Sequence, residues 1–116
     1  MQWFDTAVVC ESGALEAIIS TFGHERLLYG SDFPVSHARG KCVSIGDSFL
    51  WLHPTNVDLA ASYAEGGRVH STLVGFEALR ALKVACDNQG LGPAEVSDIF
   101  YGNAARLFGL PAAGEL

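Results

Sequence analysis

Arg26-Leu27-Leu28-Tyr29-Gly30-Ser31-Asp32-Phe33-Pro34 is the stretch on which the reading of the chain turns. Leu27, Leu28 and Tyr29 form a near-continuous apolar run, the pattern of a parallel strand covered on both faces. The run stops at Gly30, and an acidic residue, Asp32, follows at its C-terminal end, between Gly30-Ser31 and Phe33-Pro34. An ionised carboxylate at the end of a buried strand is costly unless it is paired. Asp32 is therefore expected either to bind a cation or to accept hydrogen bonds from backbone N–H groups of its own turn. Spacing alone leaves both open.

Upstream, Trp3, Phe4, Thr6, Ala7, Val8 and Val9 make a short apolar and β-branched run broken by Asp5, of a length that suits a strand. Leu15, Ile18, Ile19 and Phe22 then fall at i, i+3, i+4 and i+7, which predicts one amphipathic helix, with Ser12 placed to cap its start and Gly23 to end it. Strand, helix and strand in sequence make a βαβ unit, so the Phe4 and Leu27 strands should run parallel with the Leu15 helix crossing between them.

Downstream, residues 35–74 lose periodicity, with Gly40, Gly46, Pro54, Gly66 and Gly67 punctuating them and Phe49, Leu50 and Trp51 as the dense apolar cluster. This predicts a long loop after the last strand, with a short helix near Asn56 to Ala64. Loops of that length inside a domain are often functional. A second strong helix follows, with Leu79, Leu82 and Cys86 on one face, Ala78, Ala81 and Ala85 beside them, and Gly90 at its end. Pro93 suits a first helical position, Val96, Ile99 and Phe100 keep the helical spacing, and Gly102 breaks the run. A last short helix from Asn103 to Phe108 ends at Gly109, before Pro111 and a weakly packed tail over residues 111–116. The expected organisation is one α/β domain over residues 1–110 plus that tail.

Composition narrows the function classes. With 49% hydrophobic residues among 116 and no long polar tract, the chain reads as globular. The net charge of −6, with seven scattered Lys and Arg, leaves no basic stripe, so nucleic acid is not an expected partner. No apolar run is long enough to cross a bilayer and the N-terminus lacks a signal-peptide pattern; a cytoplasmic, non-membrane protein is expected. Cys10, Cys42 and Cys86 are odd in number and far apart, which fits reduced core or subsurface thiols better than a disulfide framework or a zinc knot.

Three segments together carry a family resemblance. Residues Arg26 to Pro34 resemble the last-strand motif of the amidohydrolase-related family, the branch of metal-dependent decarboxylases and of lactone or amide hydrolases. Ile99-Phe100-Tyr101-Gly102-Asn103-Ala104-Ala105-Arg106-Leu107-Phe108-Gly109-Leu110 resembles that family's closing helix, and Phe4-Asp5-Thr6 is similar to its penultimate strand. The resemblance implies a distorted (β/α)8 TIM barrel with a divalent metal, often zinc, at its C-terminal mouth, and it places on Asp32 both metal contact and proton handling. Such an aspartate can serve hydrolysis or decarboxylation. A complete barrel needs roughly 200 residues or more, so the chain is expected to supply the C-terminal part, the last two strands with their helices, and to be inactive alone. The family's remaining ligands, a His-x-His pair and further histidines, would precede Met1, so the N-terminal remainder of the barrel and a small-molecule substrate are the implied partners.

Other residues are weighed against this reading. Among His24, His37, His53 and His70, His37 is the one near the site, five residues past Asp32, and reads first as a solvated loop residue; the other three read as surface or turn residues. Asp5 sits inside an apolar run and reads as a brace for neighbouring groups. Arg39 and Lys41 could meet a substrate carboxylate or stay solvated. Val43-Ser44-Ile45-Gly46-Asp47-Ser48-Phe49-Leu50 resembles the nucleophile block of the SGNH esterases, but no Asp-x-x-His follows Ser48 to activate it. Gly46-Asp47-Ser48 therefore reads as a turn, with Phe49, Leu50 and Trp51 covering part of the barrel mouth or meeting another copy of the chain. The expected function is the C-terminal segment of a metal-dependent hydrolase acting on C–N, ester or lactone bonds, or of a carboxy-lyase. The alternative is a non-catalytic fragment serving assembly or interaction.

Overall fold

Phe4–Asp5 (β1) pairs parallel with Leu27–Leu28 (β2) in a computed structural model that describes residues 2–56, 72–112 and 114. Between them lies the helix Ser12–Phe22 (α1), so the βαβ order and parallel sense match the expectation. β1 is shorter than the apolar run suggested. Thr6 N–H still reaches the Leu28 carbonyl at 3.0 Å, but Val9 N–H turns back to Thr6 O at 3.1 Å and Val8 adopts φ 51. That is an unusual conformation for a β-branched residue, and it ends the strand where hydrophobicity alone would continue it.

The helix α1 buries Leu15 and Ile19. Its cap differs from expectation. Ser12 is the first helical residue, and Glu11 occupies the capping position without a side-chain cap bond; the Glu11 carboxylate accepts the N–H of Ser44 instead. Gly23, at φ 85, ends the helix as expected. Phe22 remains 44% exposed and its ring meets Phe4 at 4.8 Å between centroids.

The segment read as a long loop contains ordered structure. After a single 3-10 turn at Val35–His37, Lys41–Ile45 (β3) and Ser48–Leu52 (β4) pair antiparallel, Ile45 opposite Ser48. Gly46 and Asp47 form the two-residue connection, and Gly46 has φ 59, the left-handed conformation that tight hairpin turns demand. Near the base of this hairpin the chain closes on itself: Gly40 N–H donates to Thr72 O at 2.7 Å and Val74 N–H to Ala38 O at 2.9 Å. The helix expected near Asn56 to Ala64 falls, but for Asn56, outside the described residues.

Val74–Asn88 (α2) lays Ala78, Ala81, Leu82, Ala85 and Cys86 inward. Leu79, assigned to that face by spacing, is instead half-exposed. Gly75 lets the first turn of α2 approach Ser36, whose carbonyl oxygen would lie 2.9 Å from an added Cβ. Pro93–Ser97 (α3) starts with its proline at the first positions, and Glu95 accepts the Gly92 N–H at 2.7 Å. Gly102 does not break the run. A π turn at Asp98–Gly102 links α3 to Asn103–Phe108 (α4) with helical dihedrals at Gly102, and Gly109, at φ 67, ends the helix.

Leu15, Ile19, Leu27, Ala81, Leu82, Ala85, Cys86 and Ile99 form the core. It is where α1, β2, α2 and the π turn converge. Fully burying one leucine contributes roughly 1.5–3 kcal/mol, so Leu15 and Leu27, both at 0% exposure, are principal contributors. Among the described residues the chain is thus a mixed α/β arrangement of two small sheets and packed helices.

Candidate functional site

The C-terminal ends of β1 and β2 are fastened together by one hydroxyl. Thr6 Oγ1, on a residue 1% exposed, accepts the Gly30 N–H at 3.1 Å and lies 3.4 Å from the Gly30 carbonyl. A Cβ added at Gly30 would make ordinary van der Waals contact with the Cβ atoms of Ala7 and Asp5. Tyr29 leaves the strand pairing and donates its N–H to Ile99 O at 2.9 Å. The chain emerging from this junction is therefore aimed by the core beneath it.

Asp32 follows at φ 55, a left-handed conformation that aspartate tolerates better than most side chains. It is exposed, not enclosed in the strand end. The Phe33 N–H goes to Ser31 Oγ at 3.3 Å, the residue two beyond Asp32 is Pro34 with no N–H to offer, and Asp32 offers its backbone carbonyl to the Ser36 N–H at 3.3 Å. Serine does the turn-capping, and among the described residues the Asp32 carboxylate keeps no partner.

The other candidates separate. His37 is exposed, with Nδ1 3.2 Å from Ser36 Oγ and its ring edge-on to Phe33 at 5.0 Å, in keeping with a loop residue. Asp5 is exposed too and accepts the Ala7 N–H at 2.9 Å, so it braces the end of β1 without being buried as its apolar neighbours suggested. Lys41 Nζ stands 3.8 Å from the nearly buried Glu77 carboxylate, an engagement that ties β3 to α2; Arg39 is exposed beside it in sequence. His53 bonds locally with Thr55, and His70 lies outside the described residues. Ser48 opens β4 in the hairpin.

His24 departs most from its reading as a surface or turn residue. Its Nε2 lies 3.2 Å from Asp98 Oδ2, and Asp98 Oδ1 accepts Arg106 Nη1 at 3.2 Å. Burial pushes the Asp98 carboxyl up, but hydrogen bonds from His24 and Arg106 outweigh it and hold the group below its ordinary value. Asn103, wholly buried, donates from Nδ2 to the carbonyls of His24 at 2.7 Å and Leu27 at 2.9 Å, and its Oδ1 accepts Arg106 Nη2. This network anchors the last helix to the start of β2. No local pattern announces it, because its members come from opposite ends of the chain.

A divalent cation needs several donors converging on one point, four in a typical zinc site. Among the described residues no three His, Cys, Asp or Glu side chains gather in that way. Asp32 has the right chemistry for one oxygen ligand. Cys10, Cys42 and Cys86 are free thiols, two buried and one half-buried. No helix among the described residues is long and apolar enough to cross a membrane.

A family model described as Amidohydrolase matches residues 1–110. Among curated proteins and among solved structures, none matches the chain.

Proposed function

The chain belongs to the amidohydrolase family, and from that premise we propose that it supplies the closing β/α portion, residues 1–110, of a (β/α)8 barrel hydrolase or decarboxylase, with Asp32 as a catalytic group at the barrel mouth. The observation that carries this reading is the parallel β1–β2 pair, with α1 between its strands and Asp32 exposed just past the C-terminal end of β2. Active sites of such barrels are built at that end. A carboxylate there with no competing partner among the described residues is available to a substrate or a water. In hydrolysis Asp32 accepts the proton of the attacking water; in decarboxylation its protonated form returns a proton to carbon. Zinc is the divalent metal that the family suggests, with Asp32 as one ligand and the remaining donors coming from outside the described residues.

The substrate under this reading is a small molecule, and the N-terminal remainder of the barrel is the structural partner. Exposed Ile45, Phe49 and Leu50 of the hairpin support a second reading in which the chain serves assembly, with contacts between copies formed through the hairpin.

Elemental analysis separates the two. It is run on this chain and on a version extended upstream through a His-x-His strand, each with and without Asp32→Asn. The first reading expects stoichiometric metal in the extended version, lost with the substitution. Metal retained after Asp32→Asn, or absent from both versions, overturns the assignment of Asp32.

A further inference from the structure

Cys10 and Cys42 belong to different elements and meet in one cleft. Cys10, 6% exposed, follows the turn that ends β1 and lies with Sγ 3.5 Å from the Val8 carbonyl. Cys42 lies in β3, half-buried. Both line a cleft of about 570 Å³ formed by residues 7–11, the start of α1 and the hairpin. Strand alternation puts Cys42 and Ser44 on the same face of β3. Ser44 is held through its N–H by the carboxylate of Glu11, the residue next to Cys10. That contact joins β3 to the segment that carries Cys10. Burial, and then the neighbouring Cys10 thiol, push the Cys42 thiol above its ordinary pKa, as expected where two thiols share a partly desolvated space.

We propose that Cys10 and Cys42 are a modification site that forms a reversible intramolecular disulfide by exchange with a small-molecule disulfide of the glutathione class. The Cys42 thiolate, the more accessible of the two, attacks one sulfur of the small disulfide. A bond forms to Cys42, the small S–S bond breaks, and the departing thiolate takes up a proton in place of the one Cys42 released. The Cys10 thiolate then attacks the Cys42 sulfur and expels the second small thiolate, which is protonated in turn. Two protein thiols are oxidised and one small disulfide is reduced to two thiols. The resulting ring encloses β2 and Asp32 and ties the hairpin to the end of β1. Cys86 stands apart in the core between α1 and α2 and lines a different cleft with Leu82 and Phe100, so it serves as an internal reference. The inference is independent of any role for Asp32.

The test equilibrates the purified chain with a series of reduced and oxidised glutathione ratios at mildly alkaline pH, then alkylates it under denaturing conditions and maps its peptides by mass spectrometry. At the oxidising end two of the three thiols are expected to become unreactive, with no glutathione retained and a Cys10–Cys42 peptide recovered. Cys86→Ala should leave that bridge intact, and Cys42→Ser should abolish it. Because the Cys42 pKa is raised, the exchange rate should still be climbing with pH above the ordinary thiol range. Three reactive thiols throughout, a glutathione adduct on Cys42 that Cys10 never displaces, a bridge to Cys86 or one between chains would each overturn the proposal.

Discussion

Asn103 Nδ2 holds the carbonyl oxygen of Leu27 at 2.9 Å from 76 positions further along the chain. The same amide takes the His24 carbonyl and, through Oδ1, the guanidinium of Arg106. A wholly buried amide with donor and acceptor both used lowers the energy of this arrangement selectively: removing it strands the buried Leu27 carbonyl, while the His24 carbonyl keeps the backbone N–H of Leu27.

Asn103→Ala should therefore lower unfolding stability by about 2–4 kcal/mol, from one unsatisfied buried carbonyl, the lost bonds to His24 and Arg106, and a small cavity together. Urea denaturation followed by circular dichroism measures it. A loss below about 0.5 kcal/mol would mean that the network does not fasten α4 to β2.

Stability should fall in acid partly through Asp98. Its folded pKa lies below the ordinary value of about 3.9, so the unfolded chain binds the proton first as pH drops. The contribution is present above the unfolded pKa and is lost as pH falls toward and through the folded one. Denaturation midpoints measured from pH 6 downward should decline less steeply in Asp98→Asn than in the parent chain. Parallel curves for the two would sink the idea.

Asp32 offers a cleaner separation of chemistry from folding. Because it sits at φ 55, Asp32→Asn should change stability by only a few tenths of a kcal/mol, whereas Asp32→Ala should cost about 1 kcal/mol of left-handed backbone strain. Within the active enzyme that the family assignment proposes, both should reduce kcat by roughly a hundredfold or more. Steady-state assays alongside thermal melts would show it, and near-parental turnover in Asp32→Asn would remove its catalytic role.

Gly40 should tolerate no side chain. At φ 133 its added Cβ would strike the Leu52 carbonyl and approach the Trp51 indole nitrogen at 3.0 Å. Gly40→Ala is expected to release the end of β4 and cost about 2 kcal/mol or more. Faster hydrogen exchange confined to the β3 and β4 amides, with α1 and α2 unchanged, is the signature to look for; unaltered exchange there contradicts the steric argument.

Much of the framework was legible because it rests on local pattern. The spacing of Leu15 and Ile19 found α1, the apolar run at Leu27 found β2, and the parallel pairing followed from their order. The turn at Gly46-Asp47 is legible in the sequence, but the strands it joins, Lys41–Ile45 and Ser48–Leu52, are not. These strands are exposed at Ile45, Phe49 and Leu50, so neither face showed the alternation that burial imposes. Gly102 misled for a related reason: glycine usually ends helices, but here it is held inside one by Asp98 and Arg106 packed around it. The position of Asp32 past a strand was readable, and so was the obstacle to its capping the turn, since Pro34 two residues on has no N–H, whereas its left-handed φ was not.

The π turn at Asp98–Gly102 has a bearing on how this chain can vary. One extra residue in a helix advances everything beyond it by about 100° around the axis. The π turn sets the phase of α4 relative to α3 within one unbroken rod, with Ile99 in the core and Asn103 bonded at the start of β2. Substitutions along the rod act one side chain at a time, but a single-residue deletion between Asp98 and Gly102 would rotate Asn103, Ala105 and Arg106 together and dismantle the clasp on His24 and Leu27 at one stroke. Length at this point is thus under tighter restraint than identity.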